Sequence, residues 1–247
     1  MRTHIISVAL QKGGVGKSTT SQNLSAYLGS MGKKVLLIDL DAQCNTTFSS
    51  GAKPKEQTAS DFLGGQCSPE DALVSCNHYD IIPADIYLSN AENMEIDKGL
   101  LKHRLSSCIG KYDFIMLDTP PALGNLMKNA LYASDYVIIP MDARPYAIQG
   151  LDIFMDTMKE VNPNLRILGI LLMKFNDRSI INRDMRNDIR QYAQELNTLM
   201  FNTYIRESVA VPESQAKKQD LIDYAPKSKP ASDYNRLAEE FLKRMRQ

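Results

Sequence analysis

The chain has 247 residues, 43% of them hydrophobic and 23% charged, which is an ordinary globular composition. Lysine plus arginine and aspartate plus glutamate each number 29, so there is no net charge. That excludes a globally basic nucleic-acid binder and leaves room for a local basic patch. No apolar run approaches the roughly eighteen residues of a membrane span, and the N-terminus has no secretory pattern. Cys44, Cys67, Cys76 and Cys108 lack C-x-x-C spacing and read as reduced cytosolic thiols, while His4, His78 and His103 are too scattered for a zinc site.

The first element is an apolar run, Ile5 to Leu10, followed by Gln11-Lys12-Gly13-Gly14-Val15-Gly16-Lys17-Ser18-Thr19-Thr20 and a helical pattern carrying Leu24, Ala26, Tyr27 and Leu28. Strand, glycine-rich turn and helix start are the context that a phosphate-binding loop requires. The glycines let backbone N–H groups turn inward around a polyphosphate, and the helix N-terminus adds a favourable dipole. Lys17 is spaced to reach the β- and γ-phosphates, and Ser18 to ligate Mg²⁺. Gly32 with Lys33 and Lys34 marks the helix end. Because the first strand begins within a few residues of the N-terminus, no preceding domain of any size is expected.

Val35 to Leu40 is a continuous apolar run ending in acids, Asp39 and Asp41. Such runs suit parallel strands buried on both faces, and ligands bind at their C-terminal ends. Residues 46 to 110 say least: short helices are expected over Thr58–Leu63 and Pro69–Leu73, broken by Gly64 and Gly65, then a strand over Tyr79–Ala84. Tyr112 to Asp118 is a second hydrophobic strand ending in an acid, where a carboxylate can hold Mg²⁺ through water opposite the phosphate loop. A helix from Gly124 to Ala133, a strand from Tyr136 to Met141, a helix opening at Ala147–Leu151 and ending at Pro163, and a strand from Leu165 to Leu172 follow. Phe201 to Ile205 reads as the last strand. Strands alternating with helices predict one α/β domain over 1–247, a doubly wound, mostly parallel sheet with helices on both faces.

The loop departs from the usual G-x-x-x-x-G-K-S/T pattern at its first position, Gln11, and carries an extra lysine, Lys12. It resembles the deviant phosphate loop, K-G-G-x-G-K-S/T, of the family that includes the ParA, MinD and nitrogenase-iron-protein ATPases. D-L-D-A-Q from Asp39 to Gln43 is similar to the ParA segment, with Ala42 for the usual proline and Cys44 for the usual glycine. The strand ending at Asp118 with Thr119-Pro120-Pro121 fits the family's Walker B strand and switch. Resemblance to short ParA-type partition ATPases, without a helix-turn-helix domain, spans essentially the whole chain.

The resemblance implies the following expectations. Residues 12–19 (Lys12, Gly13, Gly14, Val15, Gly16, Lys17, Ser18, Thr19) hold the phosphates of ATP, with Lys12 reaching across a homodimer to the partner's nucleotide. Asp41 positions the attacking water. Ser18 binds Mg²⁺ directly, and Asp39 and Asp118 do so through water. Asn176, Ile205 and Arg206 lie beside the base. Arg206, Lys227 and Lys229 meet non-specific double-stranded DNA, and a ParB-type partner stimulates slow hydrolysis. The protein is then cytoplasmic, and nucleoid-associated when ATP is bound. The tail from Tyr234 to Arg246 is amphipathic; packing is expected, and a MinD-like membrane helix is the alternative. An electron-transfer ATPase like the nitrogenase iron protein is a third reading, disfavoured because the cysteines do not sit in the expected switch sequence. Which cargo is moved, and which partner acts, the residues leave open.

Overall fold

The computed structural model describes residues 2–93, 97–144, 148, 150–196 and 198–246. Its strands are β1 (His4–Val8), β2 (Val35–Asp39), β3 (Val74–Ser75), β4 (Asp80–Ile82), β5 (Phe114–Asp118), β6 (Tyr136–Asp142) and β7 (Arg166–Met173). They form one seven-stranded sheet in the order β3-β4-β2-β5-β1-β6-β7. Every pairing is parallel except that of β3 with β4. The continuous apolar runs read from the sequence are the inner strands: β2 and β5 are buried at every position.

Side chains alternate between the faces with the period of an extended chain. Val35 and Leu37 face the first helix (Lys17–Ser30) and the C-terminal helix (Lys229–Arg244), packing with Leu24, Leu28, Tyr234, Leu237 and Phe241. Leu36 and Ile38 face the other way, against Phe62, Leu101, Leu105 and Leu126. On β6 and β7, Val137, Ile139, Ile170 and Leu172 pack with Phe154, Met158 and Ile189. The doubly wound architecture expected from the sequence is what forms.

Chain order reverses at β1, which lies between β5 and β6 while β2 lies beyond β5. Crevices at such switch points, past the carboxyl ends of the strands, are where open α/β sheets bind ligands. The phosphate loop leaves β1 there.

One expected strand is absent. Phe201–Ile205 runs beside β7 and is tied to it at its two ends, Phe201 donating to Ile170 and Ile205 to Leu172, next to isolated bridges from Ile170 to Met200 and Phe175 to Arg206. The reason is a competing acceptor: Glu240 takes the backbone N–H of Asn202 and of Thr203, each at 2.9 Å, which pulls the middle of the segment out of a ladder. The short β3 and the helix Ile180–Glu195 are elements the sequence reading passed over. The helix expected to open at Ala147–Leu151 spans Leu151–Val161 with Gly150 as its cap, and Ala147 and Gln149 lie outside the described residues. The tail helix begins earlier than expected, at Lys229, because Ser228 caps it by accepting from the Ala231 N–H at 3.3 Å.

Candidate functional site

Residues 9–16 connect β1 to the first helix in a turn that only glycine suits at two places, Gly14 with φ 71° and Gly16 with φ 93°. Gly16 is the residue before the helix, so the loop ends on a helix N-terminus. Among the described residues, the amides of Gly13, Gly14, Val15 and Gly16 have no backbone acceptor. Unsatisfied N–H groups curled at a helix start form a cradle for anionic oxygens. The Val15 side chain is buried with Leu10 and Met141, so only its backbone can serve a ligand.

Lys17 is buried, and its ammonium donates to the Lys12 carbonyl oxygen at 2.7 Å. Burial lowers its pKa, and the charges of Asp118 and Asp41 oppose that effect. Lys12 has its Nζ 3.4 Å from Asp142 and its side chain 41% exposed. Thr19 accepts from Gln215 Nε2 at 3.0 Å, which ties the helix start to the C-terminal part of the chain.

Opposite the loop, register places Asp39 of β2 directly beside Asp118 of β5. Both are fully buried. Asp39 accepts from the Thr47 N–H at 2.8 Å, the Thr47 hydroxyl at 2.7 Å and the Asp41 N–H at 3.1 Å. Asp118 accepts from Thr46 Oγ1 at 2.6 Å and Ser21 Oγ at 3.1 Å, and is also hydrogen-bonded by Ser18. Both carboxyls are nonetheless held above the usual carboxylate range, chiefly by burial; the neighbouring Asp118 adds to the effect at Asp39, and Asp41 adds to it at Asp118.

Two adjacent buried acids beside a serine hydroxyl are a hard-oxygen set short of positive charge, which a divalent cation would supply. Among the described residues no group of three or more His, Cys, Asp or Glu side chains could hold a metal alone. Mg²⁺ keeps waters and shares phosphate oxygens rather than taking an all-protein cage. Asp41 is buried near the same spot, and its Oδ1 accepts from the Gln43 N–H at 3.0 Å. Cys44, three positions on, has a left-handed backbone, φ 54°, and its thiol is raised to about 11 by burial and the surrounding carboxylates.

A cavity of about 1350 Å³ runs from this loop to the far end of β7. Its walls include Gly13, Gly14, Gly16, Lys17, Ser18, Thr19 and Asp41 at one end, and Asn176, Ile205, Arg206 and Lys229 at the other. Asn176 is exposed and its Oδ1 accepts from the Arg178 N–H at 3.0 Å. Ile205 is buried and hydrogen-bonded to Leu172. Arg206 is engaged elsewhere: its guanidinium grips the buried Asp233 through Nε at 2.9 Å and a terminal nitrogen at 2.6 Å. Arg236 shares that carboxylate. Lys227 and Lys229 are exposed, and Lys229 opens the C-terminal helix. Sequence reasoning missed Thr46 and Thr47, which position the two buried acids, and Lys174, whose Nζ donates to the Gly14 carbonyl at 2.7 Å. A threonine pair after an acidic turn was a visible signal; nothing in the sequence set Lys174 apart.

A strand-loop-helix phosphate cradle facing two strand-end acids defines a P-loop nucleotide hydrolase. The comparisons agree. The model of the AAA domain family matches residues 3–168. Chromosome-partitioning ATPase Soj of Thermus thermophilus is 36% identical over 98% of this chain and 96% of that one. Among solved structures, cobyrinic acid a,c-diamide synthase from Mycobacterium smegmatis with ADP and magnesium superposes with TM-score 0.85 at 31% identity, covering 99% and 96% of the two chains. A putative plasmid partition protein from Borrelia burgdorferi bound to AMPPNP gives TM-score 0.83 at 28% identity, covering 98% and 99%. The chain belongs to the ParA/Soj family of P-loop ATPases, and its cofactors are ATP and Mg²⁺. No described helix is long and apolar enough to cross a membrane.

Proposed function

We propose that the protein is an ATP-driven switch for segregating DNA, closing as a homodimer on Mg-ATP and binding DNA without sequence preference while closed. The observation that carries this reading is the shape of the nucleotide cavity. At about 1350 Å³ it exceeds the usual range for a small-molecule site, and half-exposed Lys12 directly precedes Gly13 of its wall. A second subunit would complete the open side, each Lys12 crossing to the other's nucleotide. Lys229 lines the same cavity and Lys227 lies just before it, so nucleotide and a basic surface share a wall.

In this reading the loop amides of residues 13–19 cradle the α- and β-phosphates, and Lys17 reaches the β- and γ-phosphates. Ser18 directly, and Asp39 and Asp118 through water, would hold Mg²⁺, which supplies neutralisation of the charge building on the phosphates. Asp41 orients the attacking water. Asn176 and Ile205 border the base, and Arg206 joins base or DNA by leaving Asp233. Chemistry then rests on positioning and electrostatics, with no covalent step for the chain. A centromere-binding partner of the ParB type would accelerate the slow hydrolysis and release the nucleoid-bound dimer. Few phosphate contacts per subunit give weak binding, and two subunits presenting them together give more. The C-terminal helix spends its apolar face on the core, with Leu237, Ala238 and Phe241 fully buried, which weighs against a membrane role for it.

The test compares ATP, ADP and no nucleotide on duplexes of unrelated sequence across a salt series, with oligomeric state measured alongside. Dimerisation and binding that need ATP, ignore sequence and fall steeply with salt are expected. Dimerisation with ATP but no binding to any duplex would refute the DNA-segregation reading.

A further inference from the structure

Lys174, just past the end of β7, has a left-handed backbone, φ 52°. A lysine seldom adopts that conformation, and such outliers persist where surrounding structure holds them. Its ammonium reaches back to the phosphate loop and donates to the Gly14 carbonyl oxygen at 2.7 Å. The preceding residue, Met173, packs under the same loop: its Cε lies only 2.7 Å from where a Cβ on Gly16 would stand, and its sulfur accepts from Thr20 at 3.5 Å. The end of β7 therefore braces the loop at two points.

The Gly14 carbonyl and the Val15 N–H belong to one planar trans peptide and point in opposite directions. Holding the carbonyl toward Lys174 turns the Val15 N–H the opposite way, and that amide has no backbone acceptor. Lys17 makes a comparable contact with the Lys12 carbonyl at 2.7 Å, but Lys17 is the side chain that must leave to meet phosphate. Lys174 lines the same cavity, but the hydrogen bond the structure gives it is to the loop.

We propose that Lys174 is a positioning residue of the nucleotide site, clamping the Gly14–Val15 peptide so that the loop is shaped for polyphosphate before it arrives. The inference rests on the reading that residues 13–19 hold the phosphates. Loop amides cradle the α- and β-phosphates, so the clamp serves ADP and ATP alike.

The test measures dissociation constants of fluorescent ATP and ADP analogues, KM and kcat for hydrolysis, and nucleotide-free Tm. Lys174→Met is expected to weaken both nucleotides about tenfold, the scale of a charge-assisted hydrogen bond, raising KM with little change in kcat. Lys174→Arg should restore most of the affinity. Lys174→Gly, which relieves the left-handed backbone, should keep or raise Tm and still lose affinity, separating binding from folding. Unchanged affinity in Lys174→Met overturns the proposal, as does a loss confined to ATP, which would mean direct γ-phosphate contact. A lower Tm with no rescue by arginine also overturns it, assigning a merely structural role. Lys17→Ala serves as the control: if it binds both nucleotides normally, the placement of the phosphates is itself wrong, whereas its failure beside a normal Lys174→Met defeats only the clamp.

Discussion

Cys44 follows the acidic turn in a backbone conformation that side chains resist. Its φ of 54° places it in the left-handed region, as the cap of the short helix Asn45–Ser49 that carries Thr46 and Thr47 to the buried acids. Where ParA relatives are expected to use glycine, this chain has a thiol that is partly buried against the core and in contact with the Ala42 carbonyl at 3.4 Å. A left-handed conformation costs a non-glycine residue about 1 kcal/mol, and the lost packing of the thiol offsets part of any relief. Cys44→Gly should therefore raise stability by a few tenths to about 1 kcal/mol, a Tm gain of at most about 2–4 °C in a chain this long. Thermal melts without nucleotide check this, and a clear drop would show that the thiol's packing outweighs the backbone strain. The residue stands close to Asp39 and Asp41, so the strain sits beside the chemistry.

At the scale of elements, the C-terminal helix does more than cover the sheet. Glu240 accepts from the Asn202 and Thr203 amides and pairs with Arg244 at 2.7 Å, while Arg244 donates to the carbonyls of Leu168 and Met200 and stacks over Phe201. Burial pushes the Glu240 carboxyl up, but the backbone hydrogen bonds and the Arg244 charge outweigh it, and the net shift is downward. A folded pKa below the unfolded value means stability that is present above the ordinary glutamate range and lost progressively as pH falls from there through the lowered folded pKa. Glu240→Gln, which keeps an acceptor, should cost less than Glu240→Ala, for which about 2 kcal/mol is expected from the freed amides and the unpaired Arg244. Denaturant melts at pH 7 and pH 4 test both claims; the gap between the wild-type chain and Glu240→Ala should narrow at pH 4.

The same helix explains where sequence reasoning stopped. Buried parallel strands declare themselves by unbroken apolar runs, so β2, β5, β6 and β7 were legible, as was the phosphate loop by its glycines and lysines. Whether Phe201–Ile205 joins the sheet depends on Glu240, almost forty residues later, and no local pattern reports that competition. Lys174 was hidden for a similar reason, since a positive φ on lysine and a contact with Gly14 arise only once β7 lies beside the loop. Arg206 was legible as a basic residue near the site, but its bond to Asp233 was not.

For the molecule as a whole, binding and assembly should be linked through the cavity at the sheet's switch point. A ligand that binds only the folded state stabilises it by mass action, by about 2.7 kcal/mol at a hundred times its dissociation constant. If closure over Mg-ATP also recruits a second chain, Tm with ATP should rise with protein concentration, and Tm without nucleotide should not. Asp41 offers the means to hold that state. It is buried beside the site, accepts from the Gln43 amide at 3.0 Å, and is not one of the two acids brought together at the strand ends. If Asp41 orients the attacking water, as proposed, its removal should leave phosphate and Mg²⁺ binding largely intact. Asp41→Ala is therefore expected to dimerise on ATP as the wild-type chain does and to release phosphate at a small fraction of its rate, with the dimer persisting in size-exclusion runs. Phosphate release at the wild-type rate would remove Asp41 from the chemistry, and a variant that stayed monomeric with ATP would place the residue in nucleotide binding instead.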